Sequence, residues 1–156
     1  MNNRGFTIIE LMVAVGLFLI VVSIAAAVFV QSLRSQKQVV ALMAANDNAS
    51  LTLEQMTREI RLASQFTSTC TRLSFTNYFG EAVSYELNND AIERNGRPLT
   101  AANVKVHYLC FSLLGETVGD GLATRVTIRL GVSARGGLED FLTRLQTTVS
   151  SRVLDG

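Results

Sequence analysis

The chain of 156 residues has one proline, one histidine and two cysteines, and its charges nearly cancel, 14 Lys and Arg against 13 Asp and Glu. Each scarcity excludes something. The single His107 has no cysteine or second histidine at ligand spacing, so a metal centre is not expected and an ordinary strand residue is. Asn88-Asn89-Asp90 lacks the surrounding carboxylates of a calcium loop and reads as a turn. There is no glycine-rich phosphate loop, nucleophile elbow or His-Glu-x-x-His helix. No enzyme activity, cofactor or small-molecule substrate is therefore expected. A net charge of +1 gives no long-range field for nucleic acid or anionic lipid, so a nucleic-acid partner is not expected either. Only a local patch could serve one; Arg125 and Arg129 share a strand face, most simply a solvated one.

Proline is absent from 6 to 66, and the sole glycine there is Gly16, so nothing breaks a helix across that stretch. Within it Leu11 to Val30 are twenty uncharged, mostly apolar residues. As a helix they span about 30 Å, the thickness of a bilayer core. Glu10 stands at the mouth of this run, where an ionisable side chain is a functional hypothesis by default. The alternative is a carboxylate that snorkels to the interface. Three readings of the segment compete: a permanent anchor, a secretory signal cut near Ala25-Ala26-Ala27, or a targeting segment cut elsewhere. The run is longer than a typical signal core and continues through Val28-Phe29-Val30, which weighs against the second. Arg4 faces Arg34 and Lys37 across it, so flanking charge does not set the orientation.

Beyond the apolar run Val39, Leu42, Asn46, Ala49, Leu53, Met56, Ile60 and Ala63 recur in steps of three and four, a face made to be covered. Glu54 and Arg58 form a favourable i, i+4 pair, and Arg58, Glu59 and Arg61 are expected to keep the opposite face solvated. Asn46-Asp47-Asn48 could mark a kink. After Ser64 the period changes to two. Strands are expected at Leu73 to Phe75, Val83 to Leu87, Ala91 to Arg94, Val104 to Phe111, Thr124 to Val132 and Phe141 to Val149, with turns at 88–90 and 95–98 and a loop from Gly115 to Gly121. Cys70 and Cys110 would be either a disulfide in an exported head or two buried thiols.

Gly5-Phe6-Thr7-Ile8-Ile9-Glu10 resembles the processing motif of type IV prepilins and of the pseudopilins of type II secretion systems. The resemblance implies cleavage after Gly5 by a prepilin peptidase, N-methylation of Phe6, and pairing of Glu10 with the amine of a neighbouring subunit during assembly. It implies an α+β fold, with one long N-terminal helix packed on an antiparallel β-sheet head. The expected divisions are a leader at 1–5, a transmembrane part at 6–30, an amphipathic continuation at 31–64 and the head at 65–156. Met56 to Ala63, Leu73-Ser74-Phe75, Val83 to Leu87, Ile92-Glu93-Arg94 and Val126-Thr127-Ile128 are similar to minor pseudopilins of the J type and minor pilins of the W type. The implied role is a structural subunit in filament initiation or at the tip, in the bacterial inner membrane with the head in the periplasm or outside. Its partners would be other pilin-like subunits, the peptidase, the assembly platform and lipid. The competing expectation is a β-rich binding domain behind a conventional signal or anchor.

Overall fold

The computed structural model describes residues 5, 7–115, 123–135 and 141–152. One helix, α1 (Ile8–Arg61), is followed by eight strands: β1 (Ser64–Ser68), β2 (Arg72–Thr76), β3 (Ala82–Asn88), β4 (Ala91–Arg94), β5 (Arg97–Pro98), β6 (Val104–Leu114), β7 (Arg125–Ala134) and β8 (Thr143–Ser150). The expected α+β order is therefore present. Two units divide the chain between Val39 and Val40.

In the first unit every described residue from Thr7 onward is exposed, although the most apolar window of the helix has a mean hydropathy of 3.0. Composition and length allow this helix to cross a membrane. Ser23, a polar residue in that run, donates its hydroxyl to the Leu19 carbonyl at 2.7 Å, so its polar group is satisfied inside the helix itself.

The second unit has its own core. The helix contributes Ala45, Ala49, Thr52, Met56 and Ile60, all buried. This seam differs from the expected one: Val39 is exposed and Leu42, Asn46 and Leu53 are only half-buried, while Ala45 and Thr52 carry the contact. Small side chains let a helix lie close to a sheet, and Thr52 is made tolerable there by donating to the Asn48 carbonyl at 2.8 Å. No break occurs at 46–48. Instead Asn48 accepts a hydrogen bond from the backbone N–H of Ala101 at 3.1 Å.

Strands β1 to β5 form one antiparallel sheet in sequence order, and β6 to β8 form another. Leu73, Phe75, Val83, Tyr85 and Ile92 on the first sheet, with Val106, Leu109, Phe111, Val126, Ile128, Leu130 and Val132 on the second, fill the core. Alternation along each strand decides which side chains these are, because successive residues face opposite sides. Turn chemistry sets the hairpins. Asn89 and Asp90 have φ of 48° and 60°, and Asn95 and Gly96 have 50° and 75°, the positive values that tight two-residue hairpins require. The second turn, expected over 95–98, is confined to Asn95-Gly96, because Arg97 and Pro98 pair with Arg94 and Glu93 as a short strand. β1 has no counterpart among the expected strands. Its burial alternates, yet only Phe66 is a large apolar residue, so the sequence carries little signal.

The helix end is tied to the chain's later residues. Arg152 N–H donates to the Arg61 carbonyl at 2.8 Å and the Ser151 hydroxyl to the Ala63 carbonyl at 2.9 Å. Carbonyls that a helix C-terminus leaves open are thereby satisfied.

Candidate functional site

Two groups of residues bear on function, one in each unit. At the N-terminal end, Thr7 caps α1: its hydroxyl oxygen accepts from the Glu10 backbone N–H at 3.3 Å, and the Leu11 N–H reaches the Thr7 carbonyl at 3.1 Å. Thr-x-x-Glu is the capping-box spacing, a signal legible in the sequence itself. The Glu10 carboxylate accepts from the Thr7 hydroxyl only at 3.5 Å, the outer limit of a hydrogen bond. It therefore retains acceptor capacity beside the positive end of the helix dipole, and it is exposed. Gly5 is exposed, with open space where a Cβ would sit. Phe6, expected to become the methylated terminus, and Met1 to Arg4 of the expected leader lie outside the described residues.

In the second unit Cys70 and Cys110 form a disulfide across a separation of 40 residues. Beside it the Phe111 N–H donates to the Cys70 carbonyl at 2.8 Å, and further along β6 the Val106 N–H donates to the Asp90 carbonyl at 2.9 Å. The bridge and these bonds join the connections of the first sheet to the edge of the second.

Glu59 corrects an expectation. It is half-buried rather than solvated, and both its oxygens accept from Arg94 Nε at 3.1 Å. The Tyr85 hydroxyl lies in the field of this pair but makes no hydrogen bond of good geometry and is fully buried. Burial raises its pKa well above the usual phenol range, the Glu59 charge adds to the rise, and Arg94 opposes it. Burial works against the Arg94 charge too, yet its bond and attraction to Glu59 outweigh that and leave its pKa raised. Such an arrangement locks α1 to β4.

His107 sits at a bulge in β6 and bonds through Nε2 to the Ser133 hydroxyl at 2.8 Å. Among the described residues no group of three or more His, Cys, Asp or Glu is disposed to hold a metal ion.

Residues 1–26 match the family model described as the prokaryotic N-terminal methylation motif. That match spans Gly5, Thr7 and Glu10 and supports a type IV prepilin-like class of protein. No curated protein and no solved structure matches the chain.

Proposed function

We propose that this chain is a minor pilin-like subunit, of the pseudopilin or type IV pilin kind, that is inserted in the inner membrane, cut after Gly5, methylated at Phe6 and built into a filament or its tip. The observation that carries this reading is the methylation motif over residues 1–26, running into a helix whose apolar surface is exposed all the way from Ile8 to Val39. An unpartnered apolar helix of this length needs lipid before assembly and other helices after it. Glu10 has a role in that exchange. Cleavage creates an α-amine at Phe6 that stays a base when methylated, and a neighbouring subunit's amine offers Glu10 the opposite charge that none of the described residues brings to it.

Prepilin peptidase, the assembly platform and other pilin-like subunits are the partners this reading requires, with the head on the far side of the membrane from the cleavage site. The role is structural rather than enzymatic. Similarity to the J-type pseudopilins and W-type minor pilins favours a place at filament initiation or at the tip. The mature N-terminus tests the reading: mass spectrometry of the membrane-extracted protein should find N-methylated Phe6. An intact Met1, or a terminus at Val28, overturns it.

A further inference from the structure

We propose that the outward face of the β6–β7–β8 sheet binds single-stranded nucleic acid, with Arg125, Arg129 and Arg144 on phosphates and Tyr108 as the platform for a base. Near neutrality of the whole chain argued against such a partner, but folding sorts the charges. The three strands contain Lys105, Arg125, Arg129 and Arg144 and no Asp or Glu. The acidic residues of the connections 116–122 and 136–140 lie outside the described residues.

Register then gathers the arginines on one side. Cys110, Arg129 and Gln146 form one cross-strand row, and Tyr108, Gly131 and Arg144 form the next. Arg125 shares the face four residues along β7. Diagonal neighbours such as Arg129 and Arg144 are about 7–8 Å apart, and Arg125 lies about 14 Å from Arg129 along the strand. None of the three has a carboxylate within ion-pair distance among the described residues. The Arg129 guanidinium is steadied by the disulfide instead, donating from Nη2 to Cys110 Sγ at 3.6 Å. Tyr108, Cys110, Arg129 and Arg144 line an open cavity of about 470 Å³.

Tyr108 decides between ligands. Its ring fills the space where a Cβ on Gly131 would sit, with Cδ1 and Cζ 2.9 Å from that position and Cε1 closer. A glycine inside a central strand weakens it, and here the missing side chain lets an aromatic ring lie over the sheet. The bulge at Val106/Tyr108 sets this aim, leaving Tyr108 36% exposed between the arginine positions. An acidic polypeptide would engage the guanidinium groups and gain nothing from the ring. A single strand uses both, since its bases stack on an aromatic face while its phosphates meet planar, bidentate donors.

The test is fluorescence anisotropy of a labelled oligothymidylate with the full-length protein in detergent micelles, over a salt series. Binding should weaken with salt at a log–log slope of about −2, from three phosphate contacts at about −0.7 each. Arg129→Ala and Arg144→Ala should each weaken binding and flatten the slope by about 0.7. Tyr108→Ala should weaken it about 5- to 150-fold at an unchanged slope, and Tyr108→Phe should bind as wild type. Arg58→Ala, on the helix and paired with Glu54, should change nothing. Absence of binding at low salt overturns the proposal. So does a Tyr108→Ala protein that binds normally while polyglutamate competes as well as the oligonucleotide, the outcome of an acidic-protein surface. If Tyr108→Ala does not fold, the arginine variants decide alone.

Discussion

One helix serves two environments. From Ile8 to Val39 it has no packed partner among the described residues, whereas from Val40 to Arg61 it is half of a core. Backbone propensity does not distinguish the two parts, because neither contains proline and a helix forms through both. What differs is how apolar residues are placed: all round the axis in the first part, along one seam in the second. A surface that is apolar all round requires lipid or other helices, while a seam requires only one sheet. Stability of the second part is thus written in the chain, and that of the first in whatever surrounds it.

Glu10→Gln would break this comparison most sharply. Glutamine serves the N3 position of a capping box as glutamate does, so the substitution removes charge and leaves the helix start intact. If Glu10 pairs with a neighbour's amine in a low-dielectric setting, losing one partner costs about 3 kcal/mol or more, a fall of at least about 100-fold in filament incorporation. The melting of the head should not change. Normal incorporation in a filament assay would return Glu10 to a helix cap and nothing more.

The disulfide tests the other side. Closing a 40-residue loop stabilises by about 4 kcal/mol in the chain-entropy model, so Cys70→Ser with Cys110→Ser should lower head stability by about that much in a denaturant titration. Membrane insertion of the first unit should stay as in wild type. A double variant within about 1 kcal/mol of wild type would mean that the backbone bonds near the bridge already hold the two sheets together.

Legibility in the sequence followed the strength of the physical signal. The helix, its apolar run and six of the strands were visible because long periodic segments leave repeated evidence at fixed spacing. The turns at Asn89-Asp90 and Asn95-Gly96 were marked by residues that tolerate positive φ. β1 was not visible, since Ser64-Gln65-Phe66-Thr67-Ser68 owes its strand form to pairing with β2 rather than to its own pattern. The Glu59–Arg94 pair was hidden for a related reason: 35 residues separate its members, and only the register of β4 against α1 brings them together. Tyr108 and Gly131 show the same limit on the functional side, where a bulge and a cross-strand register create a platform that no local motif announces.

Tyr85 offers the smallest effect and the finest measure of the second unit's interior. Its hydroxyl is buried without a bond, so Tyr85→Phe should lie within about 1 kcal/mol of wild type at pH 7 or slightly above it, since no satisfied group is lost. Alkaline pH separates the two proteins. The folded phenol has a pKa raised above its ordinary value of 10.0, so it contributes no pH dependence below that value. Above pH 10 the unfolded chain releases this proton while the folded chain keeps it, and stability must fall, at up to about 1.4 kcal/mol per pH unit. Tyr85→Phe should remove that part of the decline between pH 10 and 11 in reversible denaturant titrations. A loss of 2 kcal/mol at pH 7 would show instead that the hydroxyl is bonded to Glu59 or Arg94 and helps hold α1 to β4, making the polar pair and the tyrosine one network rather than a pair with a bystander.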